Sequence, residues 1–132
     1  MPLVRIDVIK NQRSGQELRL LADTIQQVLQ DHFHAPPRDR YQIISQHEPD
    51  ELICDDTGLG LDYARTDQLV VIQIVQQGRD AATKQKTFAA LADALASRCG
   101  LKGGDLIISC VGNAREDWSF GYGEAQFVTG RL

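Results

Sequence analysis

Apolar and polar residues alternate from Leu3 to Ile9 (LVRIDVI), and a β-branched run with a two-residue period predicts a strand that buries one face. The period then lengthens. Leu18, Leu21, Ile25, Val28 and Leu29 recur at steps of three and four, with Asp23, Gln26, Gln27 and Gln30 between them, so a helix with one apolar stripe follows. Ser14-Gly15-Gln16-Glu17 opens it with the spacing of a capping box, in which hydroxyl and carboxylate satisfy backbone N–H groups left free at a helix start. Pro36-Pro37 ends it, and Tyr41 to Gln46 (YQIISQ) predicts a second strand.

The same order then returns. Gln68 to Val75 (QLVVIQIV) reads as a strand, Phe88, Leu91, Ala92, Leu95 and Cys99 share one helical stripe, and Asp105 to Val111 (DLIISCV) reads as the last strand. Asp39 and Asp105 each stand before an apolar strand containing Ile-Ile-Ser, which marks an internal repeat, about 2–47 and 67–112, of one β-α-β unit with right-handed crossovers. Both helices would cover one face of the sheet. Glu48 to Thr66, with the turn-rich Asp55-Asp56-Thr57-Gly58-Leu59-Gly60, is too long to be left without structure, so a partial hairpin is expected at Glu51 to Cys54. Trp118-Ser119-Phe120-Gly121-Tyr122-Gly123 and then Phe127-Val128 suggest a short hairpin or an extended arm. The strands are apolar on both sides, so the other sheet face needs a cover as well. Self-association is the simplest cover, and a buried closing loop is the alternative.

Composition narrows the function classes. The chain has 132 residues, room for one domain spanning 1–132, and a formal charge of -4, which argues against nucleic acid or a membrane surface as partner. It has no basic segment followed by an apolar stretch at its start and no run of about 18 uncharged apolar residues, so a cytoplasmic protein is expected. Cys54, Cys99 and Cys110 are odd in number and far apart, unlike a disulfide framework; Cys99 and Cys110 read as buried small hydrophobes. His32, His34 and His47 form no metal-ligand spacing with them, and Gly58-Leu59-Gly60 lacks a phosphate-binding fingerprint. Neither a metal nor a nucleotide cofactor is expected.

Met1-Pro2-Leu3 at the head of a doubled β-α-β unit resembles the tautomerase superfamily, whose members expose an amino-terminal proline once the initiator Met is removed. Within it, Asp39-Arg40-Tyr41-Gln42, Ser45-Gln46-His47, Asp56-Thr57-Gly58-Leu59-Gly60 and Asp117-Trp118-Ser119-Phe120-Gly121, with Phe127 and Thr129-Gly130 behind, are similar to the malonate semialdehyde decarboxylases over essentially the whole chain. The resemblance implies an α+β fold of tandem β-α-β units, two helices on one face of a mixed four-stranded sheet with short extra hairpin strands, assembled as a homotrimer with active sites near subunit boundaries. It also implies roles. Pro2 is the catalytic amine, Asp39 orients or activates water, and Arg79 is one of two arginines that bind the oxo acid. The other arginine is replaced by Gln77, and Trp118, Phe120 and Phe127, with Leu132 joining them, wall the substrate.

Chemistry gives each residue a reason and a competing reading. Pro2 is a base or an acid only as a free amine; burial beside an arginine disfavours its ammonium and draws its pKa toward working pH. Otherwise it is merely the residue after the start. Arg79, after Gly78 and before a helix start, offers a planar pair of donors to a carboxylate, against the reading of a solvated loop arginine. Asp39 is a site residue or a strand-entry residue like Asp105, and the aromatics are a substrate wall or core. The expected activity is decarboxylation of a small 3-oxo acid such as malonate semialdehyde, with the electrons of the broken bond received at a carbonyl that protonated Pro2 hydrogen-bonds or that has become a prolyl iminium. The alternatives are a keto–enol tautomerase of phenylpyruvate or 2-hydroxymuconate type, and a non-catalytic trimeric binding protein.

Overall fold

The computed structural model describes residues 2–55 and 64–132. The alternating run at the start forms β1 (Pro2–Ile9), followed by α1 (Gly15–His32) and β2 (Tyr41–His47), and the second half repeats this as β3 (Val70–Gln77), α2 (Ala81–Cys99) and β4 (Leu106–Asn113). The sheet order is β2-β1-β3-β4: β1–β2 and β3–β4 run parallel, and the two units meet antiparallel at β1–β3. The sheet is thus mixed, as expected.

Local chemistry explains the helix bounds. Ser14 Oγ accepts from the Glu17 N–H at 3.1 Å and Glu17 Oε1 accepts from the Ser14 N–H at 2.9 Å, the capping box read from the sequence. Asp80 Oδ1 caps α2 at the Thr83 N–H, and Gly100 closes it in the left-handed conformation that a side chain disfavours.

Val4, Ile6, Val8, Ile72 and Ile74 meet Leu21, Ile25, Leu29, Leu91 and Leu95 in one core between sheet and helices. The stripe on α2 is narrower than its spacing suggested. Leu91 and Leu95 are buried with Thr87, whereas Phe88 and Ala92 line an open cleft with Leu106 and Ile108 beside the edge strand. Cys99 and Cys110 pack against the core only partly buried, and the three cysteines are free thiols.

The expected hairpin strands are absent among the described residues. Pro49–Glu51 forms a 3-10 turn and 52–55 is irregular, because Pro49 lacks an N–H to give a ladder and Glu48 and Glu51 satisfy each other's backbone instead. After β4, a 3-10 turn (Arg115–Asp117) and a one-turn helix, α3 (Gln126–Thr129), stand where a hairpin or extended arm was expected. The Asp117 carboxylate caps the Ala114 N–H at 2.7 Å, and side-chain packing holds the segment rather than a ladder. The Asp56–Gly60 motif lies outside the described residues.

No helix among the described residues is long and apolar enough to cross a membrane. The face away from the helices carries Leu3, Arg5 and Asp7 of β1 beside Tyr41, Ile43 and Ser45 of β2, and Ile43 is 42% exposed on it. Among the described residues no helix covers that face.

Candidate active site

Strand direction gathers the candidate residues. β1 and β2 begin, and β3 and β4 finish, at the same end of the sheet, so Pro2, Asp39, Gln77–Arg79 and the segment after Asn113 converge there although they are far apart in sequence.

Pro2 is buried as the first residue of β1 and lies across from Gln76 of β3. Asp39, between the proline turn and β2, is 6% exposed. Its backbone is fixed twice: its N–H donates to the Pro36 carbonyl at 3.0 Å, and its carbonyl accepts from Gln26 Nε2, on α1, at 3.2 Å. Burial pushes the Asp39 carboxyl above its ordinary value, while the Arg79 guanidinium pulls it back. Asp105, its counterpart in the second unit, is a plain turn residue whose carboxylate accepts from the Thr66 N–H and hydroxyl, both at 2.6 Å.

Arg79 is held by the end of α1. Its Nε donates to the Phe33 carbonyl at 3.0 Å, a group that the helix leaves unpaired, and its guanidinium lies 4.8 Å from the centre of the Phe33 ring. Its Nη1 donates back to the Gln77 carbonyl. Burial lowers its pKa and the Asp39 charge opposes this, so two oppositely charged groups meet at this end of the sheet. Arg40, by contrast, is turned onto α1, with Nη2 2.7 Å from Asp23 Oδ1 and Nε donating to Gln42 Oε1 at 2.8 Å. Arg38 is exposed.

Gln77 is less simply placed than its spacing suggested. β3 ends at Gln77, so strand alternation does not carry on to Arg79; the arginine turns toward α1, while alternation assigns Gln77 to the face away from the helices. The amide on the helix-facing side is Gln76, which sequence reasoning missed. A signal was present: Val70, Ile72 and Ile74 set the buried phase, and Gln76 continues it.

The aromatic residues form one stack. Trp118 and Phe120 lie 5.5 Å apart, Phe120 stacks at 5.8 Å on Tyr41, and Phe127 meets Phe120 edge-on at 5.5 Å. Trp118 Nε1 donates to Asn113 Oδ1 at 2.9 Å, which ties the arm to β4 while Tyr41 anchors it to β2 on the far edge. The sequence marks Tyr41 only as part of a motif. Leu132 is 60% exposed and shares a shallow pocket of about 270 Å³ with Phe120 and Tyr122. The cleft beside Phe88, of about 450 Å³, lies toward the other end of β4, away from this cluster.

Comparison with known proteins agrees with this architecture. Two family profiles described as "Tautomerase enzyme" match residues 39–121 and 2–62. Probable tautomerase YrdN of Bacillus subtilis (strain 168) is 45% identical over 100% of both chains, and probable tautomerase YusQ of the same organism is 34% identical over 97% of this chain and 99% of its own. A wild-type, mutant and inactivated malonate semialdehyde decarboxylase structure superposes with a TM-score of 0.91 at 36% identity, covering 98% of each chain. The FG41 malonate semialdehyde decarboxylase inhibited by 3-bromopropiolate gives 0.90 at 42%, covering 98% of this chain and 97% of its own. A fused 4-OT symmetric trimer, 15% identical with a TM-score of 0.76, shares the fold. With its tandem β-α-β sheet, its convergent strand ends and these matches along its length, the chain belongs to the tautomerase family.

Proposed function

We propose that the protein acts on a small oxo acid through Pro2, freed by removal of Met1, and that its reaction is the decarboxylation of malonate semialdehyde. The observation that carries this reading is the meeting of Pro2, buried Asp39 and half-buried Arg79 at one end of the sheet. Arg79 binds the substrate with the donors that its bonds to Phe33 and Gln77 leave over. Protonated Pro2 donates to the aldehyde oxygen while the bond to the carboxylate carbon breaks; its electron pair moves into an enolate, carbon dioxide leaves, and the enolate carbon takes a proton from a water molecule, leaving hydroxide, to complete acetaldehyde. Asp39 orients the carbonyl or a water molecule. The stack of Trp118, Phe120 and Phe127 excludes bulk water and so strengthens these charges. Likeness to two structures described as malonate semialdehyde decarboxylase supports the choice.

Gln77 favours a second reading, keto–enol tautomerisation by neutral Pro2. One guanidinium suffices to bind a carboxylate but gives a developing enolate less help than two. The relatives called probable tautomerases fit this as well.

The assembly proposed is a homotrimer in which neighbouring copies cover the sheet face bearing Tyr41, Ile43 and Val111. The site lies at the rim of that face, near a subunit boundary. Processed protein given malonate semialdehyde and phenylpyruvate in parallel, read for carbon dioxide release and enol absorbance, tests the reading; inertness toward both, with Met1 retained on the native protein by mass, favours a binding protein instead.

A further inference from the structure

Gln76 is fully buried, and among the described residues neither its Oε1 nor its Nε2 has a hydrogen-bond partner. Such an amide is destabilising where it stands, and an apolar residue of equal length, continuing the series Val70, Ile72, Ile74, would fill the position without that cost. The register flanks it with Pro2 on β1 and Gly112 on β4. A Cβ on Gly112 would lie 4.0 Å from Nε2 and more than that from Oε1, so Nε2 is the amide atom nearer Gly112. Side chains directly opposed on one sheet face stand about 5 Å apart at Cβ, which brings the Pro2 ring within reach of the amide.

Behind Met1 the Pro2 nitrogen is a tertiary amide with no proton to give. Removal of Met1 turns it into a secondary amine with N–H donors, and the unpaired acceptor beside it gains a partner. We propose that Gln76 is the positioning residue of the Pro2 amine: Oε1 accepts a hydrogen bond from the freed nitrogen, favours its ammonium form and fixes the ring. The inference rests on the reading of Pro2 as a working amine. Asp39 and Arg79, the charged groups gathered at this end of the sheet, stay unaltered in the variants that test the role of Gln76.

The experiment is a ¹⁵N-proline NMR titration of processed protein, in which only the amino-terminal amine among the prolines changes charge, repeated on Gln76→Met and Gln76→Glu. Met should lower the Pro2 midpoint by about one pH unit, and Glu should raise it. A wild-type midpoint that neither variant moves overturns the role of Gln76 alone. A processed chain whose Pro2 nitrogen never titrates overturns the amine reading and this inference together. Thermal unfolding gives an independent check, since Met matches Gln in length. Gln76→Met should raise Tm when the chain is extended ahead of Pro2, and should lose that gain when Pro2 is free; an equal gain in both forms overturns the hydrogen bond.

Discussion

Arg79 donates from Nε to the carbonyl of Phe33 at 3.0 Å and lies over the same residue's ring, so one residue at the end of α1 fixes both the position and the plane of the guanidinium. Arg79→Ala should therefore weaken carboxylate substrates by about 1.5–3 kcal/mol, roughly a ten- to hundredfold rise in KM. Arg79→Lys should recover little, because an ammonium has no planar fork to span the carbonyls and the ligand. Steady-state kinetics on an oxo acid and on a matched uncharged ketone check this; an equal loss on both would make Arg79 structural.

Pro2→Ala in processed protein should remove most turnover and leave Tm nearly unchanged, since it exchanges the ring's secondary amine for a freely rotating primary amine at a strand end. Full activity in a folded variant would end the proline mechanism.

Gln77→Arg should raise decarboxylation of malonate semialdehyde by about tenfold, equivalent to roughly 1.4 kcal/mol of barrier, if tautomerisation is the native reaction. The tautomerase rate should stay flat or fall. A folded variant that binds the same acids and gains nothing would place position 77 outside the site.

Asp39 links the site to pH. Burial raises its carboxyl in the folded chain, so the folded state holds this proton more tightly than the unfolded state does. Its contribution is greatest below the unfolded pKa and is lost as pH rises through the raised value. The Tm of Asp39→Asn minus that of wild type should accordingly grow across that window, and a flat difference in scanning calorimetry would refute the assignment.

The face without helices gives a fifth test. Light scattering should find a trimer, and Ile43→Glu, which puts a charge on that face, should dissociate it. A wild-type monomer with the face in water would contradict the assembly.

Much of this was legible in the chain. The strand and helix periods, the capping box at Ser14 and the repeated order of elements set two β-α-β units, because each is a local pattern of burial and hydrogen bonding. Pro2, Asp39 and Arg79 could be named as candidates from the resemblance their surroundings carry. What local pattern does not hold is the relation between distant strands. The antiparallel meeting of β1 and β3 carries the ladder past Val75 to Gln76, beside Pro2, and β4 pairs Gln77 as well. The carbonyl at the end of α1 turns Arg79 away from the phase of β3, and packing of Phe120 on Tyr41 folds the last segment into turns instead of a hairpin. Sequence determined the elements and which residues are candidates for the chemistry, since residue type and period are written along the chain; which of them face one another was decided by strand register and helix ends, which exist only once the two halves have met.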